Sequence, residues 1–265
     1  MTPIRLVLLD LDGTLYIDHQ VIEGAVEAVS RLRAQGYALR FLTNTTTQSQ
    51  AELHLQLEYM GFIVDIDELI SAPVAAVLEL RTLQQQMGRK LKIWPLVAHA
   101  IEMDFAEFEH DELSPDFIVL GDIGDAWNAV LINQLFTAMH HGAKLITLHK
   151  NRFWQTQQRL KVDIGFYVAG LEYVTGQMPQ VMGKPSASFF NRVLADVDVT
   201  PEQVVLVGDD LDSDVGGAQR YGMRGVLVKT GKFRQQYLEQ SSIKPDAVLN
   251  SIAELPEFLL SYNQS

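Results

Sequence analysis

Residues 7–16 read VLLDLDGTLY, that is Val7-Leu8-Leu9-Asp10-Leu11-Asp12-Gly13-Thr14-Leu15-Tyr16. A short unbroken aliphatic run bounded by turn residues reads as a strand buried on both faces. This run leads straight into two carboxylates. An unpaired buried carboxylate is costly, so two acids here need a reason. A strand ending in a polar turn is the simple one. A metal and phosphate site is the one we favour, because ligands of parallel α/β sheets gather beyond the carboxyl ends of strands. Asp10 stands at such an end, Gly13 permits an unusual turn, and Thr14 offers a hydroxyl.

The pattern around this stretch alternates. Strand-like runs at Ile4–Leu9 and Ala38–Thr43 are separated by a helical pattern over Ala25–Gln35, and a second helix is expected over Ser49–Met60. Further on, Ser188–Val197 reads as helix, Val204–Val207 as strand, Asp214–Tyr221 as helix and Gly225–Val228 as strand. A closing amphipathic helix is expected over Ser251–Tyr262. In the middle, strands are expected at Leu91–Trp94, Phe117–Leu120 and Lys144–Leu148, with helices at Val74–Gln86 and Trp127–His141. This order predicts an α/β fold, a doubly wound parallel sheet of Rossmann-like type with helices on its faces. There is no fixed-period repeat and no low-complexity tract.

Three further stretches carry chemistry. Thr43-Asn44 ends a strand, and a hydroxyl and an amide there suit a phosphoryl oxygen as well as a helix cap. Lys184 sits between Gly183 and Pro185, where an ammonium serves as a point charge for an anion or simply solvates a turn. The run Val204-Val205-Leu206-Val207-Gly208-Asp209-Asp210-Leu211-Asp212-Ser213-Asp214 places four acids in six residues after another aliphatic strand. Like charges so close repel unless a cation is present. Hard oxygen ligands and incomplete coordination by protein suit Mg²⁺. A helix N-terminus accounts for Asp210 and Asp212, but not for a second strand-end acid matching Asp10.

Composition limits the rest. The chain has 265 residues, 47% hydrophobic and 20% charged, ample for a large core or two unequal domains. A net charge of −12 argues against broad contact with nucleic acid or an anionic membrane surface. With no cysteine, disulfides, thiolate metal sites and cysteine nucleophiles are excluded. No signal peptide and no apolar run of spanning length is read, so a cytoplasmic location is expected.

The four motifs together, LDLDGTLY, LTN, GKP and GDDLDSD, resemble those of the haloacid dehalogenase superfamily of phosphoryl-transfer enzymes, in the same order. The similarity extends through TNTTTQSQAEL, SAPVAA, NQLFTAMHHGAKLITLHKNRFW, GLEYVTG, VMGKPSASFF and GDDLDSDVGGAQRYGMRGVLVKTGKFR. These segments resemble subfamily IIA, the subgroup of phospholysine phosphohistidine inorganic pyrophosphate phosphatases and related hydrolase-domain proteins. About 140 residues separate Asn44 from Lys184. The resemblance implies that they form an inserted α/β cap of type 2 over 78–178, with a core of 1–77 and 179–265. It implies Asp10 as nucleophile and Asp12 as general acid and base. It implies Mg²⁺ held by Asp10, by Asp12 through its backbone carbonyl and by Asp209, with Asp214 orienting the metal shell. Thr43, Asn44 and Lys184 would hold the phosphoryl group of a small phosphorylated substrate. Some relatives carry serine at the second acid; Asp12 is the arrangement of ordinary phosphatases, so phosphoamide specificity does not follow from the resemblance. A homodimer through the cap is expected on the same ground. Phosphomutase and a phospho-accepting signalling module are the alternatives.

Other features read blandly. His140-His141 marks an exposed helix end. The His149–Trp154 loop is either an exposed loop or a substrate-selecting one. Lys229, Lys232 and Arg234 read as a solvated face. Val215–Ala218 is no dinucleotide fingerprint, since the glycine spacing is wrong.

Overall fold

The computed structural model describes residues 2–155 and 160–264, and the chain divides into two compact units. One holds the residues up to Thr43, Gln50–Ile70 and everything from Lys184 on; the other holds Asn44–Ser49 and Ser71–Gly183.

The first unit is built on a six-stranded sheet. Its spatial order is Ala247–Leu249, Arg224–Val228, Val204–Gly208, Leu6–Asp10, Ala38–Thr43 and Leu69–Ser71. The pairings from Ala38–Thr43 to Ala247–Leu249 are parallel. Leu6–Asp10 is therefore central, and all five of its residues are buried, as its aliphatic run requires. Val7 and Leu9 pack with Phe41, Val205 and Val207 against the Ala25–Ala34 and Leu255–Asn263 helices. On the Leu227 side, Leu211 and Val215 pack with Phe233 and Leu238. The register sets Leu9 beside Val207 and Asp10 beside Leu42. The ends of three adjacent strands, carrying Asp10, Thr43 and Asp209, are thus brought level.

The second unit has its own parallel sheet of five strands, ordered Gln180–Val181, Lys144–Thr147, Phe117–Leu120, Lys92–Leu96 and Glu109–His110. Helices Ala129–His140 and Ile164–Thr175 pack on it through Leu135, Met139, Val168 and Leu171. Trp127 stacks on Tyr167 at 3.7 Å between ring centroids.

The α/β class expected from the sequence is what the chain adopts. The differences are local. The helix expected over Asp214–Tyr221 begins as a π-turn, Leu211–Val215, and continues as α-helix only over Gly216–Arg220. Such turns accommodate an extra residue per turn and recur at functional sites. Ile164–Thr175 gives no clear helical signal, because Gly165, Gly170, Val168 and Val174 are poor helix formers; burial of Ile164, Val168 and Leu171 outweighs propensity. Ala247–Leu249 is too short to show a period of its own. Among the described residues no helix is long and apolar enough to cross a membrane.

Candidate active site

Asp10 ends the central strand, and the chain turns sharply after it. The Leu11 carbonyl accepts from the amides of Thr14 and Leu15 at 3.2 and 2.8 Å, and the Gly13 amide donates to Tyr16 O at 2.7 Å. This turn buries Thr14, whose hydroxyl donates to Asp10 Oδ2 at 3.3 Å, and leaves Asp12 on the exposed side.

Lys184, far away in sequence, supplies the cation. Its ammonium donates to Asp10 Oδ1 at 2.5 Å and to Asp214 Oδ1 at 2.7 Å. All three side chains are buried. Burial opposes the Lys184 charge, but Asp10 and Asp214 outweigh it and hold the ammonium above its ordinary pKa. Burial likewise raises Asp10, against the pull of Lys184 and with the push of Asp209. It raises Asp214 to about 6, with Lys184 opposing and Asp10 adding. Asp214 Oδ2 also accepts the Asp210 amide at 3.1 Å, a bond that the π-turn makes possible.

Asp209 follows the neighbouring strand and is 2% exposed. Burial pushes its carboxyl to about 6, against the Lys232 backbone N–H, which donates to Oδ2 at 2.6 Å. Its Oδ1 is buried and has no hydrogen-bond partner among the described residues. One oxygen each from Asp10, Asp209 and Asp214 lie within 4.8 Å of one another. Among the described residues these three buried carboxylates are accompanied by one buried ammonium, Lys184, which bonds two of them, so the cluster carries surplus negative charge and an orphaned acceptor. A hard divalent cation with oxygen preference fits such a donor set.

Asp12 is set apart. Desolvation by the surrounding walls raises its pKa, Lys232 opposes this, and Asp18 adds to it. Thr43 is buried at the end of the strand next to Asp10, one residue beyond the position paired with it. Asn44 opens the Asn44–Ser49 segment of the second unit, so the two residues of that motif fall in different units. The structure therefore brings Asp10, Lys184, Asp209 and Asp214 into one cluster, with Asp12 and Thr43 at strand ends beside it.

The acids between Asp209 and Asp214 behave as caps and ties. Asp210 accepts from the amides of Asp212 and Ser213, both at 3.1 Å. Asp212 accepts the Tyr237 hydroxyl. Lys232 is not merely part of a solvated face: its amide holds Asp209, and its ammonium lies 3.2 Å from Asp210 Oδ2. The sequence signal for it was weak, since only the pairing of Val204–Gly208 with Arg224–Val228 brings the 230–234 turn next to Asp209.

In the second unit, His140 and His141 are exposed at the helix end, as read. His149 is buried, its pKa lowered by burial against Asp163 and Asp122, and its Nδ1 accepts the Asn151 amide at 3.4 Å. Lys150 pairs with Glu172 at 2.5 Å, and Phe153 is exposed. The side chain of Trp154 lies outside the described residues.

The family model for haloacid dehalogenase-like hydrolase matches residues 7–109, and a second, HAD-hydrolase-like, matches 181–255. The chain is 35% identical over 259 residues to mouse haloacid dehalogenase-like hydrolase domain-containing protein 2, covering 98% of this chain and 97% of that one. It is 36% identical to human phospholysine phosphohistidine inorganic pyrophosphate phosphatase, covering 98% and 95%. Among solved structures, a 4-nitrophenylphosphatase from Thermotoga maritima superposes with a TM-score of 0.83 at 26% identity, covering 96% of this chain and 97% of that one. A p-nitrophenyl phosphatase from Archaeoglobus fulgidus gives 0.85 at 24%, covering 97% and 99%, a likeness of fold. With the motif acids and the lysine drawn together as they are, and with kinship along nearly its whole length, the chain belongs to the haloacid dehalogenase-like hydrolases.

Proposed function

We propose that this protein is a Mg²⁺-dependent phosphatase of small phosphorylated compounds that works through an aspartyl phosphate on Asp10. The observation that carries the reading is the buried cluster of Asp10, Asp209 and Asp214, of which Lys184 pairs with Asp10 and Asp214 while Asp209 Oδ1 is unpartnered among the described residues. The relatives named as phosphatases support the reaction class.

Asp10, Asp209 and the Asp12 backbone carbonyl are the groups that would hold Mg²⁺, whose charge would offset that of the phosphoryl oxygens. The residues divide the remaining work. A carboxylate oxygen of Asp10 attacks phosphorus, the bond to the leaving oxygen breaks, and Asp10 carries the phosphoryl group. Asp12, outside the Lys184 cluster and with a raised pKa, gives its proton to the leaving oxygen. As a carboxylate it then takes a proton from the water that attacks the phosphoenzyme, releasing phosphate and restoring Asp10. Thr43, Asn44 and Lys184 hold the phosphoryl oxygens, and positioning with charge neutralisation supplies most of the catalysis. Asp214 orients this shell through its bonds to Lys184 and the Asp210 amide.

We take the second unit as the cap that selects the substrate, and phosphate monoesters as the main class, because Asp12 is a carboxylic acid. Pyrophosphate and phosphoamide bonds, named in the human relative, are the next substrates to assay. A homodimer is proposed through the Ile164–Thr175 helix, where Phe166, Ala169, Gly170, Tyr173 and Val174 form an exposed stripe at helical spacing.

Three outcomes follow from this reading. With p-nitrophenyl phosphate and Mg²⁺, Asp10→Asn is expected to lose turnover by several orders of magnitude and Asp12→Asn on the order of 10²–10⁴-fold. Equal rates in Asp10→Asn and wild type would rule out the nucleophile, and an isomerised sugar phosphate instead of free phosphate would mark a mutase. For stability, burial pushes Asp209 and Asp214 up to about 6 in the folded chain, above the ordinary carboxylate range. Their protonated forms therefore favour the folded state, a contribution present below about pH 4 and lost as pH rises through 6. Mg²⁺ competes with these protons, so the rise in Tm that it causes should be larger at pH 7.5 than at pH 5, and small in Asp209→Asn at both. Equal rises in wild type at the two pH values would contradict the metal assignment. In light scattering, wild type should show the mass of two chains and the double variant Tyr173→Glu/Val174→Glu that of one; a monomeric wild type would remove the dimer.

A further inference from the structure

The Asp209 carboxylate is held in an asymmetric way. Oδ2 accepts the Lys232 amide at 2.6 Å, while Oδ1 is buried and unpartnered among the described residues. Two glycine backbones close the slot around it. A Cβ built on Gly13, where φ is +87°, or on Gly231, where φ is +52°, would run into Asp209 Oδ2. The Gly231 Cβ would also meet Gly13 Cα at 2.5 Å. The carboxylate therefore lies against two Cα atoms with no room for a side chain on either. Gly231 belongs to a tight turn, closed by the Phe233 amide donating to Thr230 O at 3.0 Å.

That turn is fixed from three directions. The Thr230 hydroxyl donates to Gly13 O, tying the turn to the loop that carries Asp12. The Lys229 amide donates to Leu249 O at 2.9 Å, which fixes the turn's start to the next strand. Phe233 packs beside Leu211, Val215 and Leu227, which anchors its far end beneath the acidic loop.

We propose that Thr230-Gly231-Lys232 is a positioning clamp: it holds one oxygen of Asp209 through a backbone amide so that the other is presented, fixed and single, to the divalent cation. This rests on the reading of Asp209 as a metal ligand. A carboxylate left to rotate would spread its two oxygens over several orientations, and ordering them would then weaken binding of the cation. With Oδ2 tied, that ordering is done on folding. The Thr230–Gly13 bond extends the effect to the Asp12 loop, whose carbonyl is the other ligand offered from that side. None of the three residues touches substrate in this account; they act through Asp209 and Gly13.

The test is Mg²⁺ titrated by calorimetry into the metal-free full-length protein, comparing wild type with Gly231→Ala, Thr230→Val and Thr230→Ser, each checked for a cooperative melt. Loss of an outer-shell partner typically weakens metal affinity 10–100-fold. Gly231→Ala and Thr230→Val are each expected to fall about 10-fold or more, and Thr230→Ser, which keeps the hydroxyl, to return to within about threefold of wild type. The Mg²⁺ concentration for half-maximal activity should move in step, while activity at saturating Mg²⁺ changes less. If Gly231→Ala fails to fold, the Thr230 pair decides. Wild type that binds Mg²⁺ with Thr230→Val within threefold of it overturns the clamp alone. A wild type that takes up no Mg²⁺ overturns the metal reading and the clamp with it.

Discussion

The Lys184 ammonium, buried between Asp10 and Asp214 at 2.5 and 2.7 Å, is the interaction on which the rest of the site depends. A buried ion is tolerable only with partners in good geometry. Removing the lysine would leave two buried carboxylates facing each other, and removing either acid would leave the ammonium one partner short of the two it holds. The sheet makes the meeting possible. Its parallel register levels the ends of Leu6–Asp10 and Val204–Gly208, and the acids project from adjacent strand ends. The aliphatic cores of those strands are thus the means by which the charged groups are brought together and kept from water.

The charge balance then separates the roles. One lysine cannot neutralise Asp10, Asp214 and Asp209 together, and Asp209 is the one that keeps an unpartnered oxygen among the described residues. Burial is the first cause of the raised pKa values of Asp209 and Asp214, and neighbouring acids add to it. Asp12 stands two residues from Asp10 in sequence yet outside the lysine's reach of hydrogen bonding, on the exposed side of a turn closed by Leu11 and Tyr16 carbonyls. Two acids of one motif thereby acquire different environments, which is what a nucleophile and a proton carrier require.

Much of this was legible in the sequence where the information is local. A strand such as Leu6–Asp10 announces itself by four consecutive aliphatics, and an acid at its end marks the carboxyl edge. Asp10 and Asp209 are read from such strand ends, and the α/β class with them, whereas Asp12, Asp214 and Lys184 acquire roles only through the resemblance of the four motifs. What stayed hidden is long-range. Lys184 and Asp10 are 174 positions apart, and nothing between them specifies a contact. The same holds for Thr230 and Gly13, 217 apart, and it is why Lys232 read as surface. Short or glycine-bearing elements were also missed: Ala247–Leu249 has too few residues to show a period, and Ile164–Thr175 is a helix through packing more than propensity. The π-turn at Leu211–Val215 is invisible to periodicity, yet it lets Asp214 reach both Lys184 and the Asp210 amide.

The most direct test of the central claim is to locate the phosphoryl group during turnover. The enzyme would be quenched in acid while hydrolysing an aryl phosphate, the acyl phosphate reduced with borohydride, and the peptides mapped by mass spectrometry. A single modified residue is expected, Asp10, with more of it in Asp12→Asn, where hydrolysis of the phosphoenzyme is slowed. Steady turnover with no modification, or with modification at Asp12, Asp209 or Asp214 instead, would contradict it.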